Sequence, residues 1–232
     1  AASDVYKRQV ETLPWDYPQV VREFLRPGVR LLDMGTGGGE LLLTLGHPYE
    51  LTSVTEGWEP NLALCQKKLA PLGITVKYYD SEKGVPLPFP DDSFDLVIDR
   101  HESYDLSEVR RVLKKNGFFV TQQVGGENDL PLVKRLCQGF SGSFVGFNLE
   151  NELPRFRQAG FRVMRSDQAY VESRYLDVGA VVFQASVCPW EYPGFSVETS
   201  QEALFQMQAQ VESLGFVPNL EHRFLIVAKN RK

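Results

Sequence analysis

The sequence predicts a doubly wound α/β fold, in which helices cover both faces of a mostly parallel sheet. The first observation is that short apolar runs alternate with segments of helical spacing from residue 29 onward. The second is that these runs are continuously apolar, as strands buried on both faces are. The third is the glycine cluster 35–39 (GTGGG), which follows the first apolar run and precedes a helical segment. In such a sheet this first strand-to-helix turn is where ligands bind.

Start and stop signals bound the elements of the first half of the chain. Apolar residues at helical spacing end at Pro27-Gly28, which terminates the first helix. Pro60 stands in the first turn of a later helix, a position that tolerates its missing N–H. The proline-rich connector 83–93 can form neither a helix nor a central strand. The predicted strands are 29–34, 51–55, 74–79, 94–100 and 117–124, and the predicted helices are 16–25, 40–47, 60–70 and 105–115.

The second half continues the same alternation. Its predicted helices are 128–138, 148–159 and 201–215, and its predicted strands are 161–171 and 222–229. An apolar stretch, 176–187, lies between them without an assigned state. No repeat or linker divides the chain, so we expect a single domain over residues 1–232. It comprises an N-terminal lid and helix (1–27), a cofactor-binding core (28–125) and a C-terminal half with substrate-pocket insertions (126–232).

Composition restricts the classes of partner and compartment. The net charge is −5 over 232 residues, and because nucleic-acid binders usually carry a positive surface, an RNA substrate is disfavoured without being excluded. No apolar run is long enough for a membrane span, and we expect no signal peptide because the polar start lacks an apolar core. Cys65, Cys137 and Cys188 are dispersed, with no metal-ligand spacing, which predicts free thiols, no metal site and a cytoplasmic location. Composition does not indicate an oligomeric state.

Spacing tests the nucleotide sites that a glycine cluster can form. A P-loop needs a lysine that this cluster lacks. A dinucleotide-binding turn would place Glu40 at its last glycine, where an acid repels a pyrophosphate. One remaining interpretation is a tight glycine-rich turn that binds no ligand. The other hypothesis is a cationic cofactor without phosphate, and S-adenosylmethionine fits it through its ammonium, sulfonium and ribose diol.

Acidic residues end three successive predicted strands beside this cluster. Asp33 ends the first strand, Glu56 the second and Asp80 the third. An acid taken singly at such a position is more often a helix cap or a solvated turn residue. Together at the carboxyl ends of neighbouring strands, they favour the cationic cofactor.

These motifs resemble the class I S-adenosylmethionine-dependent methyltransferases, in particular the type 11 branch, and are similar to the bacterial 23S rRNA guanine methyltransferase group. The resemblance is specific over about residues 28–125. The residues that carry it are DMGTGGG (33–39), the strand-two acid within 53–69, PLPFPDDSFDLVIDRH (86–101) and EVRRVLKKNGFFVTQQ (108–123). It implies a Rossmann-like sheet of seven strands with the last antiparallel. The cysteine zinc module of the rRNA group is absent here, and Glu56 stands where Asp is also common.

The resemblance implies a set of cofactor-binding residues. Asp33 is expected toward the methionine amine, Glu56 on the ribose hydroxyls and Asp80 on the adenine amine. Trp58 could equally be an ordinary surface aromatic. The full set is Asp33, Gly35, Thr36, Gly37, Gly39, Glu56, Gly57, Trp58, Asp80, Ser81 and Arg100.

Residues 99–105 (DRHESYD) follow the fourth predicted strand and are the candidates for catalysis. His101 is the best general base because its ordinary pKa lies near neutral pH. Arg100 and Glu102 could orient a polar substrate. The alternative is a loop that merely caps the next helix.

Five further residues are expected to line the substrate pocket, and each could instead be a packing anchor or strand-end residue: Trp15, Tyr17, Tyr104, Gln123 and Trp190. Gln122 ends the same strand as Gln123 and could also face the site. The N-terminal aromatics would exclude water if the segment before the first strand folds over the cofactor. Trp190 belongs to the prolyl, aromatic loop 188–195.

The function predicted from these residues is methyl transfer from S-adenosylmethionine, with S-adenosylhomocysteine as product, to a small-molecule acceptor. The alternatives are a methyltransferase for rRNA or tRNA bases and a non-catalytic protein that binds the cofactor or its product. The acceptor and the atom methylated cannot be read from the sequence.

Overall fold

The computed structural model describes residues 7–137, 139–140 and 144–232. Residues 1–6 of the predicted lid and Gln138 at the end of a predicted helix lie outside the described residues. The strands are β1 (Arg8–Val10), β2 (Leu31–Met34), β3 (Thr52–Glu56), β4 (Thr75–Tyr78), β5 (Phe94–Arg100), β6 (Leu113–Val124), β7 (Phe161–Tyr175) and β8 (Val217–Asn230). The helices are α1 (Tyr17–Arg22), α2 (Glu40–Thr44), α3 (Glu59–Lys68), α4 (Leu106–Val112), α5 (Leu130–Leu136), α6 (Leu149–Gln158), α7 (Val178–Val187) and α8 (Gln201–Leu214).

The described strands form one sheet in the order β1-β7-β8-β6-β5-β2-β3-β4. β2 pairs in parallel with β3 and β5, and the pairs β3–β4 and β5–β6 are also parallel. The short β1 pairs antiparallel with β7. The predicted count of seven strands is therefore wrong, because β1 adds an eighth. Its three residues are largely exposed, so no apolar run marks it in the sequence. The antiparallel direction of the last strand stays a prediction.

Several element boundaries differ from the predicted ones. The helix predicted over 105–115 ends at Val112, and residues from Leu113 onward already belong to β6. The apolar stretch 176–187 contains helix α7, which buries Ala180, Val181 and Ala185. β8 begins at Val217, five residues before its predicted start at 222. Polar residues in its first half, such as Asn219, are buried and conceal it from an apolar pattern.

The chain folds into two compact units, each made of three separate segments. The first, here called the glycine-loop unit, comprises residues 15–123, 149–167 and 224–232. The second, the Asp129 unit, comprises the described part of 1–14 together with 124–148 and 168–223. Each is described by itself.

The core of the glycine-loop unit is built on its parallel strands. All residues of β2 and β3 are buried, and the side chains of β5 are buried from Leu96 to Asp99. Continuous burial is what strands covered on both faces require, and it explains their unbroken apolar runs. Phe119 of β6 stacks on Phe156 of α6, with ring centroids 5.8 Å apart. This ring contact packs α6 against β6.

The Asp129 unit has its own apolar core and a buried polar cluster. The core includes Leu132 and Val133 of α5, Val181 of α7 and Met207 of α8. Asp129 is fully buried, and its carboxylate accepts hydrogen bonds from Tyr192 Oη (3.0 Å) and Asn219 Nδ2 (2.6 Å). No helix in the described part of the chain is long and apolar enough to cross a membrane.

Candidate functional site

The glycine loop between β2 and α2 adopts a conformation that side chains oppose. Gly35, Gly37 and Gly39 have φ values of +63°, +63° and +75°, in the left-handed region that favours glycine. A Cβ on Gly35 would lie 2.5 Å from Cβ of Glu102, and one on Gly39 would lie 2.8 Å from the methyl groups of Leu69. The positive φ angles and the close approach of Glu102 and Leu69 to the loop both require glycine. Without side chains, the loop exposes its main-chain groups to a ligand.

Three carboxyl groups converge on this loop, as the sequence predicts for two of them. Asp33 and Glu56 are 5% and 3% exposed at the ends of β2 and β3. Glu102, after β5, contacts Gly35. Burial, with the neighbouring charge of Glu56, raises the pKa of Asp33 to about 7. Burial, with the charge of Glu102, also raises the pKa of Glu56, and burial raises that of Glu102.

Among the described residues no ion pair is formed by Asp33, Glu56 or Glu102, and the raised pKa values agree with this incomplete compensation of the buried charge. Arg100 acts on Asp33 only as an opposing charge that partly lowers its pKa, and its side chain is exposed. A buried carboxylate without a cationic partner is costly. The site therefore suits a ligand that brings positive charge to the glycine loop.

The loop is held by side chains from β3 and α3. The N–H of Gly37 donates to Oε1 of Glu56. Cys65 Sγ donates to the carbonyl of Gly37 (3.0 Å), and Lys68 Nζ donates to the carbonyl of Gly38 (2.8 Å). Hydrogen bonds from the Asn61 side chain and from the main chain of Trp58 also act on the Glu56 carboxylate.

The residues predicted for adenine have other contacts in the described structure. Asp80 caps a short 3-10 turn by accepting from the N–H of Glu82 (3.1 Å), and it pairs with Lys83 (3.3 Å). Ser81 Oγ lies 2.6 Å from Ser103 Oγ, which joins the loops after β4 and β5. Trp58 is 65% exposed. A Cβ on Gly57 would lie 2.9 Å from the carbonyl of Tyr79, so glycine allows the ends of β3 and β4 to approach.

A chain of two hydrogen bonds orients His101. Trp15 Nε1 donates to Oε1 of Gln122 (2.8 Å), and Gln122 Nε2 lies 3.0 Å from Nε2 of His101. An indole nitrogen can only donate, so the oxygen of the Gln122 amide faces Trp15 and its NH₂ group faces His101. His101 Nε2 therefore accepts, which assigns the tautomer with the proton on Nδ1. The imidazole is exposed, on a backbone with φ +68°.

Asp99 belongs to this edge of the sheet, and its role was not predicted from the sequence. It is fully buried, and its Oδ1 accepts from Gln123 Nε2 (2.6 Å) and Thr121 Oγ1 (3.2 Å). Its Oδ2 has no hydrogen-bond partner among the described residues. Burial, with the charge of Glu102, raises the pKa of Asp99 well above its usual range. Asp99 lies inside an apolar strand, and apart from its own carboxyl nothing in the neighbouring sequence indicates a functional role.

The predicted pocket residues occupy different surroundings. Tyr17 is buried and its hydroxyl donates to the carbonyl of Asp99 (2.9 Å), so it fastens α1 to the end of β5. Gln123 is buried and bonds Asp99 and the carbonyl of Glu102 (3.0 Å). Tyr104 donates to Glu152 (2.8 Å) and contacts Phe119 edge-to-face, both core contacts. Trp190, in the Asp129 unit, is 56% exposed.

We also searched the described residues for side chains that could bind a metal ion. Among residues 7–137, 139–140 and 144–232, no group of three or more His, Cys, Asp or Glu side chains is arranged to hold a metal ion.

Comparison with known proteins gives one family and several similar folds. Residues 32–121 match a family described as a methyltransferase domain. An uncharacterized methyltransferase of Bacillus subtilis, YcgJ, is 32% identical over an alignment that covers 39% of this chain and 39% of YcgJ. The alignment thus spans about two fifths of that relative's length.

Solved structures extend the likeness of the fold along the chain. The crystal structure of YcgJ superimposes with a TM-score of 0.63 at 17% identity, covering 93% of this chain and 98% of YcgJ. A phosphoethanolamine N-methyltransferase of Haemonchus contortus, in complex with phosphomonomethylethanolamine and S-adenosylhomocysteine, superimposes with a TM-score of 0.55 at 16% identity. It covers 94% of this chain and 53% of that enzyme. At these identities the structures show a shared fold.

Proposed function

We propose that this chain, whose residues 32–121 match a methyltransferase-domain family, is an S-adenosylmethionine-dependent methyltransferase for a small-molecule acceptor. The observation that carries this proposal is the bare glycine loop with Asp33, Glu56 and Glu102 around it. A cationic, phosphate-free nucleoside matches this set in charge. A phosphate would meet three carboxyl groups instead of a positive helix end.

The residues at the loop fit the cofactor one by one. Asp33 has a pKa of about 7, and a ligand ammonium group would hold its carboxyl ionised, with the proton released to solvent. Glu56 is positioned by hydrogen bonds from Gly37, Asn61 and Trp58, and its carboxylate oxygens would in addition accept from the ribose hydroxyls. Main-chain groups of the loop would hold the remainder. Asp80 could bind the adenine amine only by sharing the carboxylate that now caps the 3-10 turn and pairs with Lys83.

The cofactor, when bound, supplies a methyl group on a good leaving group, so the protein has mainly to align the acceptor and exclude water. We assign this role to the loop after β5. His101 would accept the acceptor's proton at Nε2, the atom that now accepts a hydrogen bond from the Gln122 amide. The Trp15–Gln122 bond keeps that atom unprotonated until the acceptor displaces the Gln122 amide. Arg100 and Glu102 flank His101 and would orient a polar acceptor.

A small-molecule acceptor is favoured over RNA by the charges near the glycine loop. Asp80, Glu82 and Glu102 act on one another as like charges, since Asp80 and Glu82 both raise the pKa of Glu102. An RNA backbone would be repelled by such a group. The similar N-methyltransferase of Haemonchus contortus also holds a small molecule.

Glu56→Ala tests the cofactor assignment. We expect it to weaken S-adenosylmethionine binding by at least about tenfold, because the ribose loses a charge-assisted hydrogen bond of roughly 1.5–3 kcal/mol. Isothermal titration calorimetry gives the affinity, and a thermal melt shows whether the variant is folded.

The matched control is Glu59→Ala, which removes an exposed acid three residues away in the first turn of α3. It should bind like the wild type. Equal affinity in both variants would refute the ribose assignment. Failure of the wild type to form S-adenosylhomocysteine with any pool of small acceptors would favour the non-catalytic alternative instead.

A further inference from the structure

Four arginines line one surface depression in the glycine-loop unit. The depression has a volume of about 530 Å³, and its basic residues are Arg157 at the end of α6, Arg162 and Arg165 in β7, and Arg231 after β8. The other lining residues are apolar or small, and they include Met164, which is 50% exposed. None of the described lining residues is acidic.

Three of these arginines have no carboxylate partner among the described residues, unlike two neighbouring basic residues of the unit. Arg111 pairs with Glu108 and Asp91, and Lys114 pairs with Asp95. Within the described residues, by contrast, Arg157, Arg162 and Arg231 are exposed and make no ion pair or side-chain hydrogen bond. Arg165 pairs with Asp167 (2.6 Å). In a chain of net charge −5, this is a local concentration of unpaired positive charge.

The depression lies away from the glycine loop. Asn230, the last residue of β8, donates to the carbonyl of Leu113 at 3.1 Å, and Leu113 begins β6. Arg231 therefore lies at the edge of the sheet where β6 starts. The glycine loop and Glu56 lie at the opposite edge, where β2 and β3 end, because β2, β3, β5 and β6 run parallel. The arginines are thus separate from the proposed cofactor site at the glycine loop.

We propose that this depression is a binding site for a compact anion bearing several phosphate groups. Guanidinium groups present planar forks that match phosphate oxygens two at a time. Four of them around one space can neutralise a cluster of charges that a single arginine would bind weakly. The volume is in the range of sites for small ligands, roughly 300–1,000 Å³. A phosphorylated metabolite and the backbone of an RNA end share this chemistry.

Inorganic tripolyphosphate is the first probe, measured by calorimetry on the full chain. The variant Arg162→Glu with Arg231→Glu should lose affinity by at least about tenfold, since two contacts become repulsive. The charge-matched control is Lys67→Glu with Lys77→Glu, two exposed lysines in α3 and β4 that do not line the depression. It should retain the wild-type affinity.

Two further probes identify the source of the phosphates and limit the claim. A short single-stranded RNA that binds with the same variant dependence, and with a slope of log affinity against log salt of about −2 for contacts with the three unpaired arginines, would assign the site to RNA. Tight tripolyphosphate binding without RNA binding would assign it to a free metabolite. The proposal is overturned if no phosphate probe binds below millimolar concentration, if polyglutamate binds as well as tripolyphosphate, or if both double variants lose affinity equally. S-adenosylmethionine binding in the same variants reports separately on the proposed function.

Discussion

Asp33 shows how one buried residue can link cofactor binding to pH. Its carboxyl is 5% exposed, and burial raises its pKa from the ordinary 3.8 to about 7. A ligand ammonium group binds the ionised form and therefore competes with the proton. Above its folded-state pKa the group is ready to bind, and below it each bound cation must release a proton.

We therefore expect S-adenosylmethionine affinity to fall by up to about tenfold per pH unit below pH 7 and to change little above pH 8. Asp33→Asn should bind more weakly at pH 8 and lose this part of the pH dependence. Calorimetry between pH 5.5 and 8.5 measures both. An unchanged pH profile in Asp33→Asn would show that another group titrates.

The same shift has a consequence of known sign for folding. A carboxyl whose pKa is higher in the folded chain than in the unfolded chain favours the folded state at low pH. Its contribution to stability is lost as pH rises from about 4 to about 7. Asp33 thus costs stability at neutral pH, which is typical of groups retained for binding.

At the scale of the element, the glycine loop combines two constraints that substitution can separate. Gly35 and Gly46 have nearly equal φ values, +63° and +66°. A Cβ on Gly46 meets nothing within 4 Å, whereas one on Gly35 meets Glu102. A side chain at either position would therefore have the same backbone strain from the positive φ angle. Only at Gly35 would it also clash with Glu102.

Gly46→Ala should lose roughly 1 kcal/mol of unfolding free energy in urea and keep its cofactor affinity. Gly35→Ala should lose more stability and also bind S-adenosylmethionine more weakly, because Glu102 must move. Adding Glu102→Gly to Gly35→Ala should recover part of the stability, since the Cβ, Cγ and Oε2 atoms that meet the new Cβ are all removed. Equal losses for Gly35→Ala and Gly46→Ala would mean that the contact with Glu102 has no influence.

Elements that carry an apolar pattern within their own residues could be predicted from the sequence. β2, β3 and β5 are buried on both faces, and their unbroken apolar runs located them and the acids at their ends. β1 was missed because its residues are exposed and are paired only with the distant β7. Tyr104 was predicted in a pocket, but its contacts with Phe119 and Glu152 come from β6 and α6, which its neighbours in sequence do not indicate. The bond from Trp15 to Gln122 spans 107 positions and was equally unpredictable.

At the scale of the whole molecule, the two compact units are interleaved along the chain. The glycine-loop unit takes its main segment from 15–123 but also needs 149–167 and 224–232. Phe119 stacks on Phe156, and Phe224 to Ala228 are fully or almost fully buried. The family match ends near residue 121, before these later segments.

We therefore expect a fragment of residues 15–123 to lack a cooperative fold, although it contains the whole matched region. Loss of Phe156 and of the buried part of β8 exposes apolar surface of β6, at about 25 cal/mol per Å². Circular dichroism during urea titration of the fragment and of the full chain provides the comparison. A sharp cooperative transition in the fragment would show that the later segments are dispensable for folding.

The position of β8 between β7 and β6 has a consequence for synthesis in the cell. The ribosome makes the glycine loop early, whereas the strand that covers the outer edge of β6 emerges only with residues 217–230. Until then the nascent chain holds an unpaired, largely apolar strand edge, a form that tends to associate with other chains. Translation speed and chaperone supply should therefore govern the yield of this protein more than that of a fold completed in sequence order.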